Sequence, residues 1–352
     1  MDAKRSSTAA TIADRLLAWY DVHARALPWR YPPGIAADPY RVWLSEVMLQ
    51  QTTVAAVAPR FAAWVARWPD VASLAAADES AVMAAWAGLG YYARARNLVK
   101  AARAVVADHD GAFPSTEAAL ATLPGLGAYT AAAVAAIAFG QRAVVVDANV
   151  ERVVARLFAI ATPLPAARPA IRAAADSITP ALRAGDFAQA MMDLGSGLCT
   201  TRKPRCLLCP VAEDCRGRAE GDPERLPVKR AKVPRPQRHG TIFWLEHDNQ
   251  ILLVTRAAKG LLGGMRALPT GPWAETPPGI EGAPAVADWR MLDAHVTHGF
   301  THFDLELRLA VAQAAGHETA AIEGEWWPVD DLAAAGLPTV FAKAADAMGR
   351  DR

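Results

Sequence analysis

Cysteine is scarce in this chain of 352 residues, and all four copies fall between residues 199 and 215. Disulfides of secreted proteins are normally spread along a chain, so this crowding argues against a disulfide framework and favours a metal site. Long apolar runs are also missing, because the longest, residues 131–139, is too short to span a bilayer. The first ten residues lack the apolar segment of a signal peptide. We therefore expect a cytoplasmic protein that does not contact membranes.

Charge is divided unequally between the two parts of the chain. Residues 1–240 have 29 Lys and Arg against 21 Asp and Glu, a balance of +8, whereas residues 241–352 have 8 against 15, a balance of −7. A basic first part suits a polyanion partner such as nucleic acid, although domains that never bind nucleic acid can differ as much. The length and a hydrophobic content of 53% predict two globular domains.

Apolar periodicity changes from helical to strand-like along the chain. Residues 216–238 are basic, rich in proline and free of apolar periodicity, which is typical of a linker. Runs of β type follow at 241–245, 250–255 and 302–311 and predict a smaller α+β domain. The helices predicted before the linker cover residues 11–27, 40–57, 59–68, 80–87, 93–107, 149–160, 167–179 and 186–198.

A glycine-rich turn, Leu-Pro-Gly-Leu-Gly at residues 123–127, precedes an alanine-rich helix that should end near Gly140. Gly125 and Gly127 permit backbone angles that other residues avoid. The start of the following helix would present free N–H groups, which form an anion site suited to a phosphate. An ordinary helical turn is the alternative.

Two carboxylates are candidates for catalysis. Glu46 lies in the helical segment WLSEVMLQQT (43–52), where apolar neighbours would raise its pKa and suit it to act as a general acid. A solvent-facing glutamate is the alternative. Asp147 follows the apolar run 143–146, and its alternative role is a helix N-cap. If the fold brings them together, one acid can protonate a leaving group while one anion supports an oxocarbenium-like sugar, as hydrolysis of an N-glycosidic bond requires.

Polar and aromatic side chains suggest insertion into a base stack. The segment 50–53 has four polar residues, and residues 89–92, Leu-Gly-Tyr-Tyr, are followed by two arginines. Packing of the tyrosines between helices is the alternative.

The cysteines follow the spacing Cys199-x6-Cys206-x2-Cys209-x5-Cys215. Four thiolates could bind one zinc ion, but structural zinc sites more often have two C-x2-C pairs and this segment has one. All-cysteine ligation of a [4Fe–4S] cluster fits at least as well.

Taken together, these segments resemble the adenine-specific DNA glycosylases of base-excision repair (MutY type), in the helix-hairpin-helix glycosylase superfamily. A weaker match, HGFTHFDLEL (298–307), resembles the Phe-Ser-His loop of that family, and GLLGG (260–264) with the β runs resembles a Nudix fold. The segments that support the resemblance are WLSEVMLQQT, GLGYYARARNL (88–98), LPGLGAYTA (123–131), VDANVERV (146–153), MMDLG (191–195) and the cysteine spacing.

The resemblance implies a mainly α helix-hairpin-helix glycosylase domain at residues 1–220, which includes the iron–sulfur loop 199–215. A basic linker at 221–238 and a Nudix-like lesion-recognition domain at 239–352 would follow. A working Nudix hydrolase needs a glutamate-rich metal helix of the R-E-x-x-E-E kind, and the sequence contains none. We therefore expect no phosphohydrolase activity.

The implied activity is removal of adenine mispaired with 8-oxoguanine or guanine in double-stranded DNA, by base flipping, by a monomer that associates with the nucleoid. Glu46 matches the general acid that protonates adenine N7 and handles the water. Asp147 matches the carboxylate that stabilises, or transiently attacks, the sugar cation, and Tyr129 and Asn149 match residues that support the pair.

Further roles follow from the same resemblance. Thr301 stands where the family usually has serine, so a hydroxyl is retained for contact with the lesion base. The adenine pocket would be lined by Arg25, Trp29, Arg30 and Gln189. The duplex wedge and the contacts with the opposite base would come from Gln51, Thr52, Leu89 and Tyr91. Gly125 and Gly127 would bind a phosphate, Thr301 and His302 would contact the lesion, and the [4Fe–4S] cluster would be bound by Cys199, Cys206, Cys209 and Cys215.

Two other functions remain as alternatives. Relatives of the endonuclease III type, which also nick DNA, have a lysine at the position of Tyr129, and a phenol cannot form their Schiff base. Tyr129 therefore favours a glycosylase without lyase activity over a pyrimidine-lesion glycosylase and lyase. A non-catalytic DNA-binding or iron–sulfur sensor protein would retain the hairpin and the cysteines but would have no use for both carboxylates.

Overall fold

The chain folds into two compact units. The first contains residues 11–82 and 93–230, and the second contains residues 83–92 together with the described residues from 234 onward. No helix among these residues has both the length and the apolarity that a bilayer span requires. The computed structural model describes residues 11–230, 234–257, 260–315 and 322–350.

Helices form the first unit, as the periodicity predicts, but the predicted helix 40–57 is wrong as a single element. It breaks after Leu49, where Gln51 has a φ of +56°, and a new helix begins after Thr53, whose side chain accepts from the N–H of Ala56. The polar run 50–53 causes this break, because its side chains cap and turn the backbone instead of packing. The helices are α1 (Ile12–His23), α2 (Pro39–Leu49), α3 (Val54–Arg67), α4 (Val71–Ala75), α5 (Glu79–Ala85), α6 (Ala93–Asp108), α7 (Glu117–Leu120), α8 (Ala128–Phe139), α9 (Ala148–Leu157), α10 (Arg168–Ile178), α11 (Ala184–Gly197) and α12 (Arg216–Ala219).

Helix α8 is the central element of the first unit. Residues 130–136 of this helix are all buried, and α2, α7 and α11 pack against it. Small side chains let α11 approach α8 closely. A Cβ on Gly185 of α11 would lie 2.4 Å from the carbonyl oxygen of Ala136 in α8. Because α9 also packs on α11, this arrangement places the ends of α2, α8 and α9 around one region.

Part of the predicted linker is folded against the first unit. Leu226 is only 1% exposed, its carbonyl accepts from Arg156 Nε at 3.0 Å, and the N–H of Leu164 donates to the Val228 carbonyl at 2.8 Å. The burial of one apolar side chain explains why this basic, proline-rich stretch is ordered here.

The second unit is built on a mixed sheet, as predicted for an α+β domain. Strands β1 and β5 pair in parallel, from Gln237 opposite Asp304 to Glu246 opposite Gln313, and β4 pairs antiparallel with β5. The neighbour order is β3-β2-β1-β5-β4, with β6 also on β2, and helix α13 (Thr339–Arg350) contacts β4. The strands are β1 (Gln237–His247), β2 (Gln250–Thr255), β3 (Arg266–Ala267), β4 (Arg290–Gly299), β5 (Asp304–Gln313) and β6 (Glu325–Pro328).

The predicted strand at 302–311 begins two residues later, because residues 300–303 form the turn that precedes β5. Strand β4 was not predicted, because its polar residues alternate with apolar ones too irregularly to give a strand signal. Its pairing with β5 is interrupted between Met291 and His295, which accounts for the irregular pattern.

Candidate active site

Helix α2 places Glu46 inside the first unit. Asp38 caps the helix by accepting from the N–H groups of Tyr40 and Arg41, and Pro39 occupies its first turn. Every residue from Val42 to Met48 is buried, and Glu46 itself is 7% exposed. The alternative of a solvent-facing glutamate is therefore wrong.

The carboxyl group of Glu46 meets the hydroxyl of Tyr129, from the first turn of α8. Tyr129 Oη donates to Glu46 Oε2 at 2.7 Å. Burial raises the pKa of Glu46, and the negative charge of Asp147 adds to this effect, whereas the Tyr129 hydrogen bond and Arg30 oppose it. The pKa of Tyr129 is also raised, by burial first and then by the charges of Glu46 and Asp147. Glu46 is thus inclined to retain a proton that an ordinary glutamate would lose.

Asp147 is the N-cap of α9, which is the alternative role that its sequence position predicts, and it also faces the cavity. Its Oδ1 accepts from the N–H of Val150 at 2.7 Å, and its Oδ2 accepts from Asn149 Nδ2 at 2.9 Å. Each oxygen therefore accepts one hydrogen bond, and the two together fix the orientation of the carboxylate. The two acids differ in kind: Glu46 is buried with one hydroxyl donor, and Asp147 is half-buried with a backbone and an amide donor.

Arg152, which was not predicted as a site residue, holds the amide of Asn149 in its orientation. Arg152 Nη2 donates to Asn149 Oδ1 at 2.9 Å and to the carbonyl of Gly195, while its Nε donates to the carbonyl of Cys199 at 2.7 Å. Because a guanidinium only donates, the amide oxygen must face Arg152 and the NH₂ must face Asp147. The three-residue spacing between Asn149 and Arg152 on α9 was the available signal.

A cavity of 350 Å³ joins both carboxylates in the first unit. That volume is in the range of small-molecule sites. Five residues predicted for DNA or base binding contribute to its wall, as do Tyr129 and Asn149. The lining residues are Arg25, Leu27, Trp29, Arg30, Glu46, Leu49, Gln50, Gln51, Thr52, Val54, Tyr129, Asp147, Ala148, Asn149 and Met192.

Asp193 organises the two arginines at this cavity. Its side chain is 1% exposed, and its carboxylate accepts from Arg25 Nε at 2.8 Å and from Arg30 Nη2 at 3.4 Å. Asp193 lies within the segment MMDLG, but the sequence pattern gives no signal for this role. Gln189, predicted for the pocket, is buried one turn earlier on α11 and is not among the lining residues.

The predicted hairpin joins α7 to α8, and its two glycines differ. Gly125 has a φ of +78°, and a Cβ there would lie 2.6 Å from the Cβ of Asn97, so both backbone and packing require glycine. Gly127 is the N-cap of α8 with a φ of −77°, and a Cβ there would meet nothing within 4 Å. Gly127 therefore does not use the unusual backbone angles that glycine permits, and its missing side chain leaves the helix start open instead.

The remaining predicted DNA-binding residues lie in the second unit. Leu89 is buried, whereas Tyr91, with a φ of +47°, is 53% exposed. Thr301 and His302 are both exposed in the turn between β4 and β5. The cavity does not include these four residues.

The four cysteines are free thiols close enough to influence one another. Burial, followed by the charges of Cys199, Cys215 and Cys206, raises the pKa of Cys209 to about 11. Arg156 donates from Nη1 to Cys199 Sγ at 3.3 Å. In the part of the chain that the structure describes, no three His, Cys, Asp or Glu side chains are arranged to hold a metal ion.

Comparison with known proteins identifies two domains. Residues 44–176 match the model of the HhH-GPD superfamily base excision DNA repair protein, and residues 241–347 match that of the NUDIX domain. A solved thymine-DNA glycosylase is 29% identical with a TM-score of 0.53 and covers 59% of this chain and 95% of its own. A trapped endonuclease III–DNA intermediate, 23% identical with a TM-score of 0.50, covers 59% and 94% and shows the shared fold.

Curated relatives are similar over much of the chain. Adenine DNA glycosylase of Mycolicibacterium smegmatis is 42% identical over 217 residues, which cover 62% of this chain and 73% of the relative. The Mycobacterium tuberculosis protein of that name is 44% identical over 212 residues, which cover 59% and 68%. The human protein is 36% identical over 310 residues, and the match covers 73% of this chain but only 57% of the human one.

Proposed function

The chain belongs to the adenine DNA glycosylase family, and we propose that it hydrolyses the N-glycosidic bond of adenine mispaired with 8-oxoguanine or guanine in duplex DNA. The observation that carries this proposal is the single cavity lined by Glu46, Asp147, Tyr129 and Asn149. A flipped base could enter it, and flipping costs a few kcal/mol, less at a mispair.

Glu46 would supply the proton. Its raised pKa favours a carboxylic acid that can protonate N7 of the flipped adenine. The bond from C1′ to N9 then breaks, its electron pair leaves with the base, and neutral adenine forms. Water adds its oxygen to C1′ and returns a proton to the Glu46 carboxylate, so the acid is regenerated.

Asp147 would stabilise the sugar cation between these two events. Its two carboxylate oxygens accept from the N–H of Val150 and from the Asn149 amide, and these hydrogen bonds fix its position. A fixed negative charge beside a developing cation lowers the barrier without reorganisation. Arg25 and Arg30, held by Asp193, would contribute polar wall contacts around the base.

The reaction should stop at hydrolysis, without strand cleavage by a lyase step. A lyase needs an amine that attacks C1′ and forms a Schiff base. Tyr129 has a phenol, not an amine, and its hydroxyl is hydrogen-bonded to Glu46. Among the described residues, no lysine lines the cavity.

DNA would be bound by part of the cavity wall and by surfaces outside the cavity. The open start of α8 at Gly127 suits a backbone phosphate, since N–H groups of a first helical turn favour anions. Gln51, Thr52, Leu89 and Tyr91 would serve as the wedge. The exposed Thr301 and His302 would contact the base opposite adenine.

The four cysteines would hold a [4Fe–4S] cluster. Cys199, Cys206 and Cys215 lie close enough to Cys209 for their charges to raise its pKa, and cationic iron would stabilise the thiolate form of such a group. Such a cluster would cross-link the loop 199–215 and the segment that Arg156 contacts. An absorption spectrum of the purified protein with iron and sulfide analysis would distinguish it from zinc.

The domain limits follow the same proposal: a catalytic domain at 1–220 and a lesion-recognition domain at 239–352. The protein would act as a monomer on chromosomal DNA in the cytoplasm. Size-exclusion chromatography with light scattering, with and without duplex, tests the monomer.

The test of function is single-turnover release of free adenine from duplexes that differ only in the base opposite adenine. We expect adenine release opposite 8-oxoguanine and guanine, and no release opposite thymine. Borohydride should trap no covalent adduct. A trapped adduct would favour a lyase, and duplex binding without any base release would favour a non-catalytic protein.

A further inference from the structure

The turn that joins β4 to β5 is closed by a backbone hydrogen bond. The N–H of Phe300 donates to the carbonyl of Phe303 at 2.9 Å, so Thr301 and His302 occupy the tip and are exposed. Arg235 fastens the base of the turn, because its Nη1 donates to the Phe300 carbonyl at 2.7 Å and its guanidinium pairs with Asp304.

Three aromatic rings form a cluster under this tip. Phe300 and Phe303 have ring centroids 5.0 Å apart, and Trp273 lies 5.5 Å from the first and 6.1 Å from the second. His298 adds an edge contact to Phe300 at 4.7 Å. These separations are those of interacting aromatic pairs, so each ring limits the rotamers of the next.

Trp273 is the member that connects the cluster to the rest of the second unit. The guanidinium carbon of Arg256 lies over its ring at 5.0 Å, and Arg256 Nη1 donates to the hydroxyl of Thr270 at 3.2 Å. A Cβ on Gly240 of β1 would be 2.8 Å from Trp273 Cδ1, so glycine makes room for the indole. The next residue, Ala274, exchanges two backbone hydrogen bonds of 2.8 Å with His239.

The indole N–H of Trp273 has no hydrogen-bond partner among the described residues, although it is buried. A buried donor without a partner is unfavourable, so hydrogen bonding does not explain a tryptophan at this position. Packing explains this residue instead, because its flat ring contacts both phenylalanines of the turn.

We propose that Trp273 is a positioning residue for specificity, which holds the turn 300–303 so that Thr301 and His302 meet the base opposite adenine. This inference rests on the proposed function. A turn already fixed before DNA binds loses less conformational freedom on contact, and that difference favours the base with which the tip makes hydrogen bonds.

The test compares Trp273→Phe, which retains a ring, with Trp273→Leu, which retains apolar volume without one. Trp289→Leu is the control, since Trp289 packs on Phe243 and not on the turn. The readout is the ratio of single-turnover adenine excision opposite 8-oxoguanine to that opposite guanine. Thermal unfolding of each variant shows whether it is folded.

We expect Trp273→Leu to lower this ratio roughly fivefold to tenfold, the size expected from freeing two ordered side chains. Trp273→Phe and Trp289→Leu should keep the wild-type ratio. In a background with Thr301→Ala and His302→Ala, Trp273→Leu should cause no further change, because nothing remains to be positioned.

An equal loss on both duplexes, an equal loss in the phenylalanine variant, or a further loss in the doubly substituted background would overturn the inference. A wild-type enzyme that releases adenine with no preference between the duplexes would overturn it too, while leaving the proposed function intact. Failure of the proposed function is distinct, since the wild type would then release no adenine at all.

Discussion

The cavity in the first unit and the turn at residues 300–303 in the second are stabilised by different forces. Around the cavity, hydrogen bonds fix the functional groups: Tyr129 donates to Glu46, and Asn149 donates to Asp147. Under the turn, aromatic rings pack while the polar tip remains open. Acid chemistry needs charges of fixed position and tuned pKa, whereas reading a base needs exposed polar groups on a rigid support.

The largest expected effect comes from removing the acid in the cavity. Glu46→Gln retains shape but has no proton to give, so single-turnover excision should fall about 10³-fold. Duplex affinity, measured by fluorescence anisotropy, should change less than threefold, because the side chain is buried. If affinity falls in parallel with excision, Glu46 is part of the binding surface and the contrast between the regions fails.

The next effect concerns the hydrogen bond that tunes this acid. Tyr129→Phe removes a donor that lowers the pKa of Glu46, so that pKa should rise further. The protonated acid then survives to higher pH, and the alkaline limb of the excision profile should move upward. Excision at the optimum should fall about tenfold, since one hydrogen bond to an ionisable group is lost. If the alkaline limb moves to lower pH instead, the Tyr129 hydrogen bond does not lower the pKa of Glu46.

The hairpin supplies a matched pair of glycines. Gly125→Ala should lower the free energy of unfolding by about 1–3 kcal/mol, because a positive φ and the contact with Asn97 both oppose a methyl group. Gly127→Ala should leave stability nearly unchanged but weaken duplex binding, since its methyl would stand at the open helix start. Chemical denaturation and salt-dependent anisotropy measure the two effects. Equal destabilisation by both variants would refute the distinction.

The smallest effect is on stability and follows from the pKa of Glu46. The pKa of Glu46 is higher in the folded than in the unfolded protein. Its contribution to stability is therefore fully present at a pH below the ordinary glutamate pKa, and it is lost as the pH rises through the folded pKa. Glu46→Gln should therefore stabilise the protein by about 1 kcal/mol at neutral pH, and by less near pH 4. The control is Glu281→Gln, the same substitution at an exposed position, because it changes no buried group.

The local pattern left a solvent-facing glutamate and a helix N-cap as alternatives for Glu46 and Asp147, and the family resemblance singled out the pair. That both residues line one cavity is seen only in the fold. Apolar periodicity predicted the helical first unit and the sheet of the second. The break between α2 and α3 was missed, because the apolar residues on both sides of the polar run 50–53 were assigned to one continuous helix.

The supporting residues could not be predicted, because their partners are distant in sequence. Asp193 meets Arg25 and Arg30 only through the packing of α11 against α1, and Trp273 meets Phe300 only through the sheet. The contact of Arg152 could have been predicted, because its partner Asn149 lies one helical turn away.

The most direct test of the central claim is a double-variant comparison of Glu46→Gln and Asp147→Asn in single-turnover adenine release. Asparagine still caps α9, so the fold should persist. If both carboxylates act on one nucleotide in one cavity, the double variant should be about as slow as the slower single variant, because groups that work as a unit are not additive. Losses that multiply independently, or wild-type protein that releases no adenine from any mispaired duplex, would contradict the account.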